Sequence, residues 1–286
     1  WGKTESYNPV DIINSQDFSR GLLRNEKRGA PMLRVSWPVG PGQLDLYAIG
    51  FVPNIYPGAK LRERAGLPVK RQESFSNGAK RDDLASALRW SGYFGDIDLG
   101  ISWFRGTGAN PRMRVQPDGS LMPDYSRITQ AGLDILYLRG DSAFKGEVVH
   151  RSGQYNLSGV AKTYQAAVVG IEHNLYGVGG SERDLVLIAE LARDSRKAAA
   201  HSGFQNDLAV GARMLFNDVE DSEAVLLFSR DLDNGAQMIS LAGSRRLSDS
   251  LTADASARWP MDFEDDPVSG SLARDAAVIL SLTYGF

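Results

Sequence analysis

The chain of 286 residues contains no cysteine, only three histidines and no long hydrophobic run. Without cysteine, neither a disulfide framework nor a thiolate metal site is possible. Because no run of about 18 apolar residues occurs, no membrane-spanning helix is predicted. The 32 basic and 35 acidic residues leave a net charge of −3, so the chain lacks the basic field that would indicate a nucleic-acid partner.

The scarcity of histidine also argues against an enzyme. The three histidines are His150, His173 and His201, and no Gly-x-Ser-x-Gly motif accompanies them. His201 stands beside Ser202, but adjacency in sequence does not make a catalytic triad. We therefore expect no catalytic residue, no metal site and no cofactor.

What the chain does contain is alternation of apolar and polar residues, together with 30 glycines and 12 prolines. The clearest example is 251–259, where Leu, three Ala and Trp alternate with Thr, Asp, Ser and Arg. Such alternation is typical of β-strands with two different faces. Many of the segments run well beyond the five or six residues usual for a strand, and approach the length of about 9–11 residues that a tilted strand needs to cross a bilayer.

Thirteen strands are predicted in this way, at 31–39, 43–52, 85–94, 96–104, 131–139, 143–150, 162–173, 183–193, 204–216, 222–231, 236–247, 249–259 and 273–286. Their connections alternate between short turns and long polar loops, the rhythm of an outer-membrane barrel. The predicted fold is all-β, a transmembrane antiparallel up-and-down β-barrel of about 14 strands. Single-chain bacterial barrels have even strand numbers. Trp1–Lys3 is therefore interpreted as the top of a first strand lying mostly upstream, in a chain that opens as a mature or partial product.

A single barrel domain over 1–286 predicts that charged side chains face inward, because a charge facing lipid costs about 2–4 kcal/mol near the midplane. Two interpretations of these charges stay open. They line a water-filled pathway and set its selectivity, or they form a paired lattice that fills the interior. The predicted pore-lining residues are Arg34, Arg89, Asp98, Asp134, Lys145, Glu147, Glu190, Asp207, Arg213, Arg246, Asp254, Arg258 and Asp275, and Asp45 belongs to the same face.

Aromatic residues fall near the ends of the predicted strands on the opposite face. Such rings favour the membrane–water interface, so they predict aromatic girdles rather than the packing of a soluble core. The predicted girdle residues are Trp37, Trp90, Trp103, Trp259, Tyr284 and Phe286, with Phe94 beside them.

Three loops carry residues that suit a ligand site or a constriction. The basic residues between Ala59 and Asp83 suit lipopolysaccharide phosphates, and the acidic residues of 262–266 suit Ca²⁺, but both are better interpreted as solvated loops. The loop 4–30 mixes apolar and polar residues, and either folds inward as a constriction or packs at the rim.

The chain ends in Leu-Thr-Tyr-Gly-Phe at 282–286, which resembles the C-terminal signal of outer-membrane barrels. That resemblance implies recognition by the barrel-insertion machinery. Trp1-Gly2-Lys3, followed by Asn-Pro-Val-Asp at 8–11, resembles the first strand end and first loop of porin-like and polysaccharide-export-like barrels. It implies no catalytic residue.

The expected function is that of a channel which passes or exports a solute, polymer or lipophile across the outer membrane of a Gram-negative bacterium. The alternative is a non-conducting barrel that acts as an anchor or partner in a larger cell-envelope assembly. The expected partners are outer-membrane lipids and lipopolysaccharide, the insertion machinery, and in the alternative other envelope proteins.

Overall fold

The structure is a computed structural model and describes residues 1–18, 26–56, 69–202, 204–262 and 276–285. In this part of the chain no helix is long and apolar enough to span a membrane. Two single-turn 3₁₀ helices occur, Val178–Gly180 and Lys197–Ala199. The strands are β1 (Ser15–Asp17), β2 (Glu26–Arg28), β3 (Met32–Val39), β4 (Gly42–Gly50), β5 (Ser74–Ser76), β6 (Leu84–Phe94), β7 (Ile97–Thr107), β8 (Arg112–Val115), β9 (Leu121–Arg139), β10 (Ser142–Ser152), β11 (Tyr164–Leu175), β12 (Asp184–Asp194), β13 (Asn206–Leu215), β14 (Glu223–Asp231), β15 (Gln237–Ser248), β16 (Leu251–Met261) and β17 (Ala277–Tyr284).

The main sheet is an antiparallel meander. Its order is β3, β4, β6, β7, β9, β10, β11, β12, β13, β14, β15, β16 and β17, and each strand pairs with its neighbours in this order. The short strands β5 and β8 attach to the first residues of β9, and β1 pairs with β2. Strands β3 and β17 form the two edges, and no pairing joins them within the described residues.

Glycine makes the tightest turns of the meander. Gly40, Gly95 and Gly140 have φ of 61°, 60° and 57°, and each opens a two-residue connection between paired strands. A two-residue turn whose first residue has a positive φ matches the twist of the flanking strands. Glycine adopts this conformation without strain, whereas a residue with a side chain would be strained at that position. We call the end of the strands where these turns lie the short-turn end, and the opposite end of the strands the long-loop end.

Each of the thirteen predicted segments overlaps one strand of the meander. The prediction was wrong beyond the long-loop end, where 4–30, 53–84 and 105–130 were interpreted as loops. Strand β9 begins at Leu121, ten residues earlier than predicted, because its first residues pair with β8 and with β5. Those partners lie far along the chain, as in the pairing of Ser74 with Asp124, so local alternation does not reveal them.

The registers divide the side chains between two faces, because residues directly opposite each other in an antiparallel pair point to the same side. Asp254 is opposite Ser244, which is opposite Glu223. Following such pairs from β17 to β3 gives two continuous faces, an inner face that carries most of the charged side chains and an outer face that is mostly apolar.

Residues 1–14, the inner segment, lie against the inner face, and the sheet curves around them. The ring of Trp1 is 5.7 Å from that of Tyr47 on β4, while Glu5 binds Arg213 on β13. In a flat sheet these strands, seven steps apart in order, would be separated by about 34 Å. Five extended residues span at most about 18 Å. Contact of so short a segment with both strands is explained by a concave inner face.

The interpretation of Trp1–Lys3 as the top of a wall strand is wrong for these residues. They carry no strand pairing. The backbone N–H of Lys3 instead donates to the Glu147 carboxylate, and the ring of Trp1 stacks beneath the Arg89 guanidinium. A buried carboxylate and a buried aromatic cluster thus hold these residues on the concave side.

The hydrophobic core lies between the inner segment and the sheet. Ile12 packs with Ile49, Ala85, Ala87, Phe104 and Ile128, and Val10 packs with Val149, Tyr164 and Ala166. Val10 is fully buried. Ile12 and Ile13 of loop 4–30 therefore fold inward, as one of the two predicted alternatives has it, whereas Phe18 stacks on Tyr56 in the loop after β4. Leu22 and Leu23 of that loop lie outside the described residues.

Candidate functional site

The inner face carries the ionisable residues predicted to point inward. The register places twelve of them on this face: Arg34, Arg89, Asp98, Asp134, Lys145, Glu147, Glu190, Asp207, Arg213, Arg246, Asp254 and Arg258. Asp45 joins them, and Asp275 lies outside the described residues. Whether these residues line a pore stays a prediction. The inner face is the candidate site because it brings charges from across the whole sheet to one concave surface.

Glu147 in the middle of β10 is the first anchor of the inner segment. Its carboxylate accepts hydrogen bonds from the backbone N–H of Lys3 at 2.6 Å and of Thr4 at 2.8 Å, and from the Thr4 hydroxyl at 2.7 Å. The carboxylate is almost completely buried. A buried charge is stable only when its oxygens are hydrogen-bonded, so Glu147 and the peptide groups of residues 3 and 4 require each other.

Glu190 on β12 is the second anchor. It accepts hydrogen bonds from the backbone N–H groups of Glu5 at 2.6 Å and Ser6 at 2.7 Å, and also from the Ser6 hydroxyl. The side chain of Glu5 in turn binds Lys145 and Arg213 at 3.3 and 3.2 Å. The segment therefore crosses the inner face from β10 to β13 on a chain of charge-assisted contacts.

Ion pairs occupy the rest of the inner face from β3 to β13. Arg89 binds Asp134 through two hydrogen bonds of 2.7 and 2.9 Å, and Arg34 binds Asp45 at 2.9 Å. Lys145 also binds Glu172, which the sequence analysis missed. Glu172 follows Val168 and Gly170 on the inner face of β11, where apolar residues occupy both faces and hide the alternation.

A polar cluster closes the long-loop side of the same region. Arg151 binds Gln130 at 2.7 Å and the Pro9 carbonyl at 3.2 Å. Arg196 binds Asp194 at 2.6 Å and lies 3.4 Å above the Tyr164 ring. Arg151, Gln130 and Asp194 are buried. None was predicted, since they come together only where the inner segment meets two loops.

Strands β4–β13 therefore present what we call the filled sector, an inner face buried under the inner segment and its polar partners. Asp134, Glu147 and Glu190 are at most 4% exposed. Below the segment, towards the short-turn end, a cavity of about 690 Å³ remains. Its polar lining consists of Lys3, Gln43, Arg89, Ser91, Tyr93, Asp98 and Asp134.

Strands β14–β17 present the open sector, which the inner segment does not cover. Their inner-face residues are half-buried or exposed except for Asp231 and Pro260 at the long-loop end. A cavity of about 210 Å³ runs along them. Its inner-face lining is Glu223, Val225, Ala242, Ser244, Asp254, Ser256, Ile279 and Ser281.

The outer face has the opposite character. Large apolar side chains are exposed along it from edge to edge, including Leu33 at 68%, Leu226 at 51% and Leu280 at 79%. Most charged residues on this face, such as Arg105, Arg193, Arg230 and Arg245, stand near strand ends, and Arg127 lies on the part of β9 that extends past the long-loop end. A soluble monomer rarely exposes apolar patches of more than a few hundred Å².

The predicted girdle residues lie on this outer face. Trp37, Trp90 and Tyr284 stand near the short-turn end, and Trp103 and Trp259 near the long-loop end. They form two bands separated by aliphatic residues. Phe94, at the short-turn end of β6, belongs with the first band, and Phe286 lies outside the described residues.

The remaining candidates lie apart from the inner face. His150 and His173 point outward on β10 and β11, and His201 is half-buried in the loop 195–205, where desolvation and the nearby Arg196 lower its pKa. No group of three or more potential metal ligands occurs within the described residues.

Of the loop charges, Lys70 binds Asp118 and Arg81 binds Glu73, as in an ordinary solvated loop. The predicted charges Lys60, Arg62, Arg64, Glu264, Asp265 and Asp266 lie outside the described residues.

No protein-family model and no curated protein matches this chain. Among solved structures, the chain is similar to the one titled "High pH structure of Pseudomonas putida OprB". The two are 10% identical, the match covers 88% of this chain and 70% of that chain, and the TM-score is 0.45.

Proposed function

We propose that this chain forms a closed β-barrel in the outer membrane of a Gram-negative bacterium and acts as a channel for a hydrophilic solute. One observation carries the proposal: the same sheet exposes an apolar outer face from β3 to β17 and gathers its mid-strand charges on the concave inner face. In lipid, strands are stable only when closed into a barrel, because each backbone group must be hydrogen-bonded. Such barrels carry an apolar outer band between aromatic girdles.

The proposed barrel has 14 strands, with a further strand between β3 and β17. Both edge strands run from the long-loop end to the short-turn end, so a direct contact would be parallel. One intervening strand of opposite direction would pair antiparallel with both and continue the meander.

Disulfide formation tests this closure, since the chain has no cysteine of its own. Val35→Cys on β3 is combined in turn with cysteine at 278, 280 or 282 on β17. An intervening strand places the edge backbones about 9.6 Å apart, beyond the reach of about 7 Å for a disulfide. We expect no disulfide in any of the three double variants. Efficient oxidation of one of them would show direct pairing and refute the 14-strand barrel.

Conductance of the purified full-length protein in a planar lipid bilayer tests the channel function. Stable stepwise currents are expected. A protein that inserts as a folded barrel but stays silent would contradict the channel and support the second candidate, a structural barrel within an envelope assembly. The filled sector favours that candidate, because the inner segment occupies part of the interior and leaves less room for a solute to pass.

We further propose that the surrounding lipids and lipopolysaccharide are the partners of the outer face. The last strand, with Leu280, Leu282 and Tyr284 pointing outward, is proposed as the element that the insertion machinery binds. Substitution of Tyr284 by Asp tests this role. Reduced insertion by purified machinery, with unchanged spontaneous folding in detergent, is the expected result. Equal loss in both assays would reject a specific role for this strand.

A further inference from the structure

The ionisable residues of the inner face fall into two groups by their partners. In the filled sector, Asp134 binds Arg89, while Glu147 and Glu190 bind backbone N–H groups of the inner segment. In the open sector, Arg246 binds Asp221 at the short-turn end, whereas Glu223, Asp254 and Arg258 form no ion pair with any described residue. Charges with partners stabilise the fold, whereas unpartnered charges beside open space remain available to a solute.

The open sector is also the part of the inner face with small, hydroxylated side chains. Ser256 lies between Asp254 and Arg258 on β16, and neighbouring strands contribute Ser, Thr and Ala to the same surface. The inner-face positions of this kind are Ser229, Ser240, Ala242, Ser244, Thr252, Ser256, Ser281 and Thr283. Hydroxyl groups exchange hydrogen bonds with water and with hydroxylated solutes, and the small side chains leave space.

We infer that solutes cross the barrel along the open sector, and that Asp254 and Arg258 set which ions pass. The inference rests on the proposed channel function. Glu223, Asp254 and Arg258 together carry a net charge of −1, so the route favours small hydrated cations slightly over anions and admits uncharged hydrophilic molecules. The buried carboxylates of the filled sector, Asp134, Glu147 and Glu190, by contrast, bind Arg89 or the inner segment and contribute little to selectivity.

Reversal potentials across a salt gradient test the inference in planar bilayers. Asp254→Asn removes a negative charge and is expected to shift the channel towards anions, while Arg258→Gln shifts it towards cations. A unit charge about 8 Å from a permeating ion changes the cation-to-anion permeability ratio by about two- to fivefold, depending on screening. The matched control is Glu172→Gln, which removes the same charge from the inner face of the filled sector. It is expected to leave the ratio unchanged.

Single-cysteine variants give a second measurement that does not depend on charge. Ser256→Cys in the open sector replaces a small side chain with one of similar size, and a charged thiol reagent is expected to block most of its current. Val168→Cys, at a fully buried position of the filled sector, should be insensitive.

Each outcome decides the assignment. Opposite shifts for the two charge variants and block at Ser256→Cys support it. A conducting wild type whose reversal potential is unmoved by Asp254→Asn and Arg258→Gln, or moved equally by Glu172→Gln, overturns this inference and leaves the channel function standing. A silent wild type overturns both.

Discussion

The guanidinium group of Arg89 on β6 reaches the carboxylate of Asp134 on β9 by passing over Gly100 of the intervening strand β7. A Cβ atom built on Gly100 would lie 2.4 Å from Arg89 Nη2 and 2.4 Å from Asp134 Oδ2. Asp134 is fully buried and Arg89 nearly so. The ion pair therefore depends on the absence of a side chain at a third residue, one strand away from each partner.

Gly100→Ala is predicted to break this ion pair. An ordinary glycine-to-alanine change in a strand is mildly stabilising. Here the methyl group would displace one partner and leave Asp134 buried without its counter-ion, a loss of about 3 kcal/mol in the free energy of unfolding. Urea unfolding in phospholipid vesicles measures it.

Gly146→Ala is the matched control, because its Cβ would meet only the movable Ile135 side chain at 3.1 Å. It should change stability by less than about 1 kcal/mol. In an Arg89→Ala background the effect of Gly100→Ala should largely disappear, since the pair is already lost. An undiminished effect there would mean that Gly100 acts through the backbone and not through the pair.

Glu190→Ala is predicted to loosen the inner segment. The substitution leaves the N–H groups of Glu5 and Ser6 without their acceptor, and hydrogen bonds to a charged group contribute about 1.5–3 kcal/mol each. Val10→Cys provides the reporter, because Val10 is fully buried in the native state. Its labelling rate with a thiol reagent is expected to rise by at least about tenfold.

Glu223→Ala is the control for this experiment. It removes the same type of side chain from the inner face of β14 without touching the segment. Its labelling rate should match that of the Val10→Cys parent. If both variants label alike, Glu190 does not anchor the segment.

The strands of the meander could be predicted from the sequence because alternation is local. Five residues are enough to assign Asp254, Ser256 and Arg258 to the same face. The same periodicity identified which charges share the inner face. It could not show that Glu147 and Glu190 bind residues 3–6, which lie more than 140 positions away in the chain. Nor could it show the role of Gly100, which depends on the crossing of a long side chain from the next strand.

The two interpretations of the inner charges need not apply to the whole interior, because the charges of the two sectors differ in their partners. Arg89 with Asp134 behaves as a paired lattice, whereas Asp254 lines the open-sector cavity, and neither Asp254 nor Arg258 forms an ion pair with a described residue. Sequence alone could not separate these groups, because both consist of the same residue types at the same period. The difference comes from the inner segment, whose position is set by long-range contacts.

Leu226→Arg is predicted to destabilise the protein in a bilayer by about 2–4 kcal/mol, because Leu226 lies mid-strand on the outer face of β14. Its neighbour Leu227 points to the inner face, so Leu227→Arg places the same charge beside the other polar side chains of that face and should cost much less. Unfolding of both variants in phospholipid vesicles makes the comparison. In a soluble protein the order would reverse, since the exposed Leu226 would then tolerate a charge better than Leu227.

The loop 195–205 is predicted to lose stability at acidic pH through His201. Burial lowers the pKa of this imidazole below its ordinary value of 6.5, and the nearby Arg196 lowers it further. The folded loop therefore favours the neutral ring, and below about pH 6.5 the opened loop binds a proton that the folded loop resists. Stability of this loop should fall as the pH drops through that range and be fully present above it.

Hydrogen exchange of residues 195–205 at pH 7.5 and 5.5, corrected for intrinsic rates, measures the difference. His201→Gln cannot titrate and should exchange with equal protection at both values, so a pH effect that persists in this variant would assign the change to a group other than His201.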